Sequence, residues 1–183
     1  MSNILDYLDW RGDLAIDRRA PFCEVDNLIL TQLSFIDLAG IADGDRLRQS
    51  VTLREAAARY LANPKAHAGR LGVLIPNEVS GLLEKAAASR RFGGMRLLRF
   101  ENTIDETLQT QFAALCIVIG DGSFYISFRG TDDTLVGWKE NFNMGFMDRV
   151  PAQLLAARYT EAAARAIRGK IRIGGHSKGG NLS

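Results

Sequence analysis

The sequence predicts an α/β fold in which a mainly parallel sheet carries helices on both faces and is preceded by a helical N-terminal region. Three observations lead there. Residues up to about Arg90 read as short helices and loops. From Met95 onward, short apolar runs rich in β-branched residues alternate with helical stretches. Near Ser183, a helix, a short strand, a glycine-rich turn and the opening of another helix follow in succession, an order that argues for parallel strands.

The elements follow in chain order. A first helix is expected over 4–10 and a second over 24–35. Thr52-Leu53-Arg54-Glu55 is a capping box, in which hydroxyl and carboxylate satisfy each other's backbone amides, and it opens a helix running to Leu61. Pro76 and Asn77 announce a helix over 78–89. Strands are expected over 95–100, 112–119 and 123–128, the last two joined through Gly120-Asp121-Gly122. An Asp-Gly pair between such runs signals a tight hairpin whose two central residues need positive φ. A short helix over 136–142 comes next. Pro151 then starts a longer one, in which Leu155, Tyr159, Ala162, Ala163 and Ala166 recur at helical spacing and Gly169 supplies the stop. A strand over 170–174 leads into a final helix from Lys178.

The 183 residues, 46% hydrophobic and 24% charged, suit one domain with a sizeable core: 1–90 mainly helical, 91–183 holding the sheet and its loops. No repeat or linker divides it. The formal charge of +2 comes from scattered basic residues, which argues against a nucleic-acid partner. Acidic residues near the N-terminus do not suit a secretion signal, and no apolar stretch reaches the ~20 residues of a membrane span. A cytoplasmic protein is expected. Cys23 and Cys116 read as free thiols, Cys116 within an apolar run. No metal-ligand cluster or phosphate-cradling loop is seen, so neither metal nor cofactor is expected.

The chemistry lies in Gly175-His176-Ser177-Lys178-Gly179. Gly-x-Ser-x-Gly alone is weak, since chance supplies it in roughly one chain in twelve of this size. Its context strengthens it. A strand precedes and a helix follows, the setting of the nucleophile elbow of α/β-hydrolases, where glycines flank the serine because strand and helix approach too closely for side chains. Ser177 is the expected nucleophile, and the amides and dipole opening the next helix favour negative charge beside it. Phe128-Arg129-Gly130-Thr131-Asp132-Asp133 directly follows a strand, where this fold places one arm of the oxyanion hole. Thr131 would supply that arm by its backbone N–H and hydroxyl, and the backbone N–H of Lys178 the other. The same residues also suit a polar turn capping the next helix.

Phe128-Arg129-Gly130-Thr131, followed by Gly175-His176-Ser177-Lys178-Gly179-Gly180-Asn181-Leu182, resembles the class 3 lipases, and in particular an uncharacterised bacterial branch of lipase-like α/β-hydrolases. In that branch the start is also similar to Asn3-Ile4-Leu5-Asp6-Tyr7, Trp10-Arg11-Gly12-Asp13-Leu14 and Val25-Asp26-Asn27-Leu28-Ile29-Leu30. The resemblance implies a serine hydrolase that cleaves a small-molecule or lipid ester through an acyl-enzyme. In that fold the acid and the histidine follow the serine, whereas His67 precedes it and His176 adjoins it pointing away from it. The expectation is therefore an N-terminal portion cut just after the elbow, inactive alone, with an open sheet edge that invites self-association. Thioester or amide cleavage, or a noncatalytic binding protein, remain alternatives.

Four further residues have bland expected roles. Lys178 carries charge at a helix N-terminus, an unfavourable place that calls for an acidic neighbour. Arg129 is expected in a structural ion pair with Asp132 or Asp133. Trp138 and Asn141 are expected to pack and support the loop, with lining of the pocket as the alternative.

Overall fold

The computed structural model describes residues 3–63 and 78–183. Helix α1 (Ile4–Arg11) starts where Asn3 Oδ1 accepts the Leu5 amide at 2.8 Å while the Asp6 carboxylate accepts the Asn3 amide at 2.8 Å. In α2 (Glu24–Leu33), Ile29, Leu30 and Leu33 are buried. The capping box opens α3 (Leu53–Leu61): Glu55 N donates to Thr52 Oγ1 at 3.1 Å and Thr52 N to Glu55 Oε2 at 2.9 Å. Helix α4 (Glu78–Ala88) follows. Pro76 and Asn77, expected to open it, and His67 lie outside the described residues.

The sheet contains β1 (Val51–Thr52), β2 (Arg96–Asp105), β3 (Thr110–Val118), β4 (Phe124–Phe128) and β5 (Ile171–Gly175), side by side in that order. The β1/β2, β2/β3 and β3/β4 pairs are antiparallel, and β4/β5 alone is parallel. This overturns the mainly parallel sheet of an α/β-hydrolase. The reason is connection length: the short loops from Asp105 to Thr110 and from Val118 to Phe124 can join only antiparallel neighbours, whereas a parallel pair needs a crossover of a dozen residues or more. Only β4 and β5 have one, through α5 (Leu135–Asn143) and α6 (Pro151–Ala166). The strand–helix–strand signal was local to the end of the sheet.

Strand β2 runs past the expected residue 100 and contains a bulge. Leu98 faces Cys116 and Glu101 faces Ala114, so β2 carries one extra residue, and Arg99 adopts φ 55° there. The β3/β4 turn differs from the expected two-residue type. Gly122 N donates to Ile119 O at 2.9 Å and Ile119 N to Ser123 O at 2.8 Å, and only Gly122, at φ 79°, needs the left-handed region. That is a three-residue loop closed by a glycine, not a turn with positive φ at both centres.

Strand β3 is buried on both faces. Leu115 and Ile117, with Tyr125 of β4, join the core built by α1–α4. Phe112 and Ala114, with Ile126 and Phe128, meet Ala152, Ala156, Tyr159 and Ala163 of α6 and Leu182 of α7 (Lys178–Leu182). Of the expected stripe of α6, Tyr159 and Ala163 are buried and Leu155 packs against the same cluster, whereas Ala166 is exposed. A buried ion pair ties the N-terminal layer together. Arg91 Nε donates to Asp26 Oδ1 at 2.6 Å, and its other nitrogens donate to the carbonyls of Leu14, Ala20 and Pro21. No described helix is long and apolar enough to cross a membrane.

Candidate active site

Ser177 stands between β5 and α7 at φ 57° and ψ −122°. A non-glycine residue rarely holds such a conformation, and the surroundings enforce it. A Cβ on Gly175 would lie 2.1 Å from the carbonyl of Gly179, and one on Gly179 would lie 2.1 Å from Phe128 O. Strand, helix and the end of β4 therefore meet at van der Waals distance without side chains. Ser177 is exposed, and its Oγ has no hydrogen-bond partner among the described residues.

The loop after β4 leans on this corner. A Cβ on Gly130 would meet His176 O at 2.6 Å and Ser177 Cβ at 3.3 Å. Capping of α5 is done by its neighbours: Thr134 Oγ1 accepts the Gly137 amide at 3.0 Å, and Asp132 Oδ1 accepts from Thr134 N at 3.0 Å and from its hydroxyl. Thr131 Oγ1 is left buried without a partner.

Arg129 holds the loop from beneath. Its Nε donates to Ser34 O at 2.6 Å, and its terminal nitrogens donate to Ile36 O at 3.3 Å and Asn102 Oδ1 at 3.4 Å. Burial pulls its pKa down to about 10, opposed by the carboxylates of Asp37 and Asp132. It remains charged at neutral pH and fixed to backbone carbonyls.

Lys178 has the acidic neighbour its position called for. Its Nζ lies 2.8 Å from Glu140 Oε2 and 2.7 Å from Gln111 Oε1, and it also donates to Gln111 O. Both side chains of the ion pair are fully buried. Sequence reading missed Glu140 and Gln111. The unpaired cation at a helix N-terminus was the signal for the first; nothing pointed to the second.

His176 is exposed and set edge-on against Phe35, with ring centroids 5.7 Å apart, so it offers Ser177 no base. Trp138 is 41% exposed and Asn141 is exposed, so neither has the expected packing role. An open apolar groove of about 720 Å³ lies between α1 and α2, lined by residues such as Tyr7, Trp10 and Leu28, and contains none of the elbow residues. Among the described residues no group of three or more His, Cys, Asp or Glu side chains could hold a metal ion.

A family model described as Mbeg1-like matches residues 86–183, the stretch that includes all of β2–β5 and the elbow. The chain belongs to the Mbeg1-like family. This corrects the resemblance to the class 3 lipases and their lipase-like relatives, for which the comparisons give no support. The motif that carried it is dictated by a strand meeting a helix in a tight corner, a geometry not confined to one family. For this Mbeg1-like chain, no curated protein and no solved structure gives a match.

Proposed function

We propose that the chain carries the nucleophile and oxyanion half of a serine hydrolase acting on an ester-type substrate. The observation that carries this reading is Ser177, exposed and held at φ 57° with its hydroxyl free. In the reaction, Ser177 Oγ attacks the acyl carbonyl, its proton passes to a base and on to the leaving alcohol, and water later releases the acid. The backbone N–H of Lys178, with the N–H and unpartnered hydroxyl of Thr131, holds the oxyanion. No histidine among the described residues faces Ser177, and the general base of the proposed reaction is a group outside them.

An apolar acyl group is the proposed substrate portion, supported by Leu135, Trp138 and Phe142, which expose one face of the helix following the Thr131 loop. The two free thiols support a reducing, cytoplasmic location. Among the described residues strand β5 forms one edge of the sheet, and self-association through that edge is part of the proposal.

The test is a p-nitrophenyl ester series with and without added imidazole, followed by intact mass. Slow release of p-nitrophenol that imidazole accelerates, with an acyl adduct lost in Ser177→Ala, is expected. Equal turnover by Ser177→Ala would refute the hydrolase reading and leave the site a noncatalytic binding corner.

A further inference from the structure

We propose that Glu140 is a positioning residue for Ser177, acting through its buried ion pair with Lys178; this rests on the reading of Ser177 as nucleophile. Lys178 directly follows Ser177 and begins α7. Its ammonium is bound by Glu140 Oε2, Gln111 Oε1 and Gln111 O, which matches its three hydrogens. Glu140 is equally engaged: Oε2 also accepts the Gln111 amide at 3.0 Å, and Oε1 accepts the Ala152 amide at 3.0 Å. One carboxylate thus joins α5, β3, the first turn of α6 and the residue behind the nucleophile.

Such a pair is a poor device for stability. Removing two charges from water costs about as much as their attraction returns, and apolar side chains of similar size often serve as well or better. Its place in the chain explains what it does supply. Helix α5 continues from the Thr131 loop and Lys178 directly follows Ser177, so the Glu140–Lys178 contact ties these two segments to each other. Gly130 and Gly179 leave no slack between these segments, since a Cβ on either would collide with backbone across the junction. Asp132 and Arg129 are the other charged groups acting on the ammonium, and they act in opposite directions.

Glu140→Gln keeps the shape and removes the charge; Glu140→Leu with Lys178→Met replaces the pair by apolar groups. Each is compared with the unmodified chain for fluorophosphonate labelling of Ser177 in the presence of imidazole, and for hydrogen exchange over 176–180. The expected result is labelling slowed on the order of tenfold to 100-fold, with faster exchange at 176–180, in variants that still unfold cooperatively in urea. A folded variant, single or double, that labels Ser177 at the parent rate overturns the proposal. Absence of labelling in the unmodified chain, with exchange still altered in the variants, overturns the nucleophile reading and with it the catalytic part of this one. Unaltered exchange overturns the positioning itself.

Discussion

Holding Ser177 at φ 57° costs an L-residue on the order of 1–3 kcal/mol, which the collar of Gly130, Gly175 and Gly179 imposes and the packing around it sustains. Thr131 sits in the same economy of small spaces. Its hydroxyl is buried without a partner, and an unsatisfied polar group of that kind costs roughly 1–3 kcal/mol. Thr131→Val is therefore expected to leave urea stability unchanged or raised, while slowing Ser177 acylation by about 100-fold or more, the effect of losing one oxyanion donor. Lower stability with unchanged acylation would mean that the hydroxyl serves the fold. The corner at residues 175–179 was legible because the glycines at 175 and 179 follow from the close approach of strand and helix. Glu140 was not, because its partner is 38 residues away in the chain and no local pattern links them.

At the scale of elements, capping chemistry was the clearest signal and α5 the most misleading. Thr52 and Glu55 start α3 as their spacing implies, and Thr52→Ala is expected to cost about 1 kcal/mol in urea unfolding. Hydrogen bonds from the Thr52 amide and then its hydroxyl hold the Glu55 carboxyl below its ordinary range. A carboxylate with a lowered folded pKa contributes fully above its unfolded value and loses that contribution as pH falls through the folded one. Thr52→Ala removes the hydroxyl but keeps the amide, so it should soften without abolishing the loss of stability on acidification below about pH 4.5, the ordinary glutamate value. An equally steep acid loss in the variant would contradict this account of the cap. Helix α5 inverts the usual pattern: Gly137 and Glu140 face inward while Leu135, Trp138 and Phe142 face solvent. Periodicity places aromatic residues inside, but here the interior side meets Gln111, Lys178 and the Ala152 amide, partners that only a carboxylate satisfies. Strand β2 was cut short for a related reason, since residues 101–105 are largely exposed and polar and lack an apolar run.

For the whole molecule, the helical first half and the order of later elements were legible, while strand direction was not, because a three-residue hairpin and a long crossover decide it rather than composition. The N-terminal layer depends on Asp26 and Arg91, both fully buried. Asp26→Asn leaves the guanidinium without its counter-charge, and a loss of roughly 3–5 kcal/mol in urea unfolding is expected; a loss under about 1 kcal/mol would show that the carbonyls of Leu14, Ala20 and Pro21 suffice. Among the described residues, Ser177 is the one serine that is both strained and exposed, and no histidine adjoins its hydroxyl. The most direct measurement is therefore site-resolved fluorophosphonate labelling of the chain, read by peptide mass spectrometry with and without imidazole. The expected result is modification at Ser177 that is slow alone and faster with imidazole, well ahead of every other serine; labelling spread evenly over the serines, or none at Ser177 under either condition, would contradict the assignment.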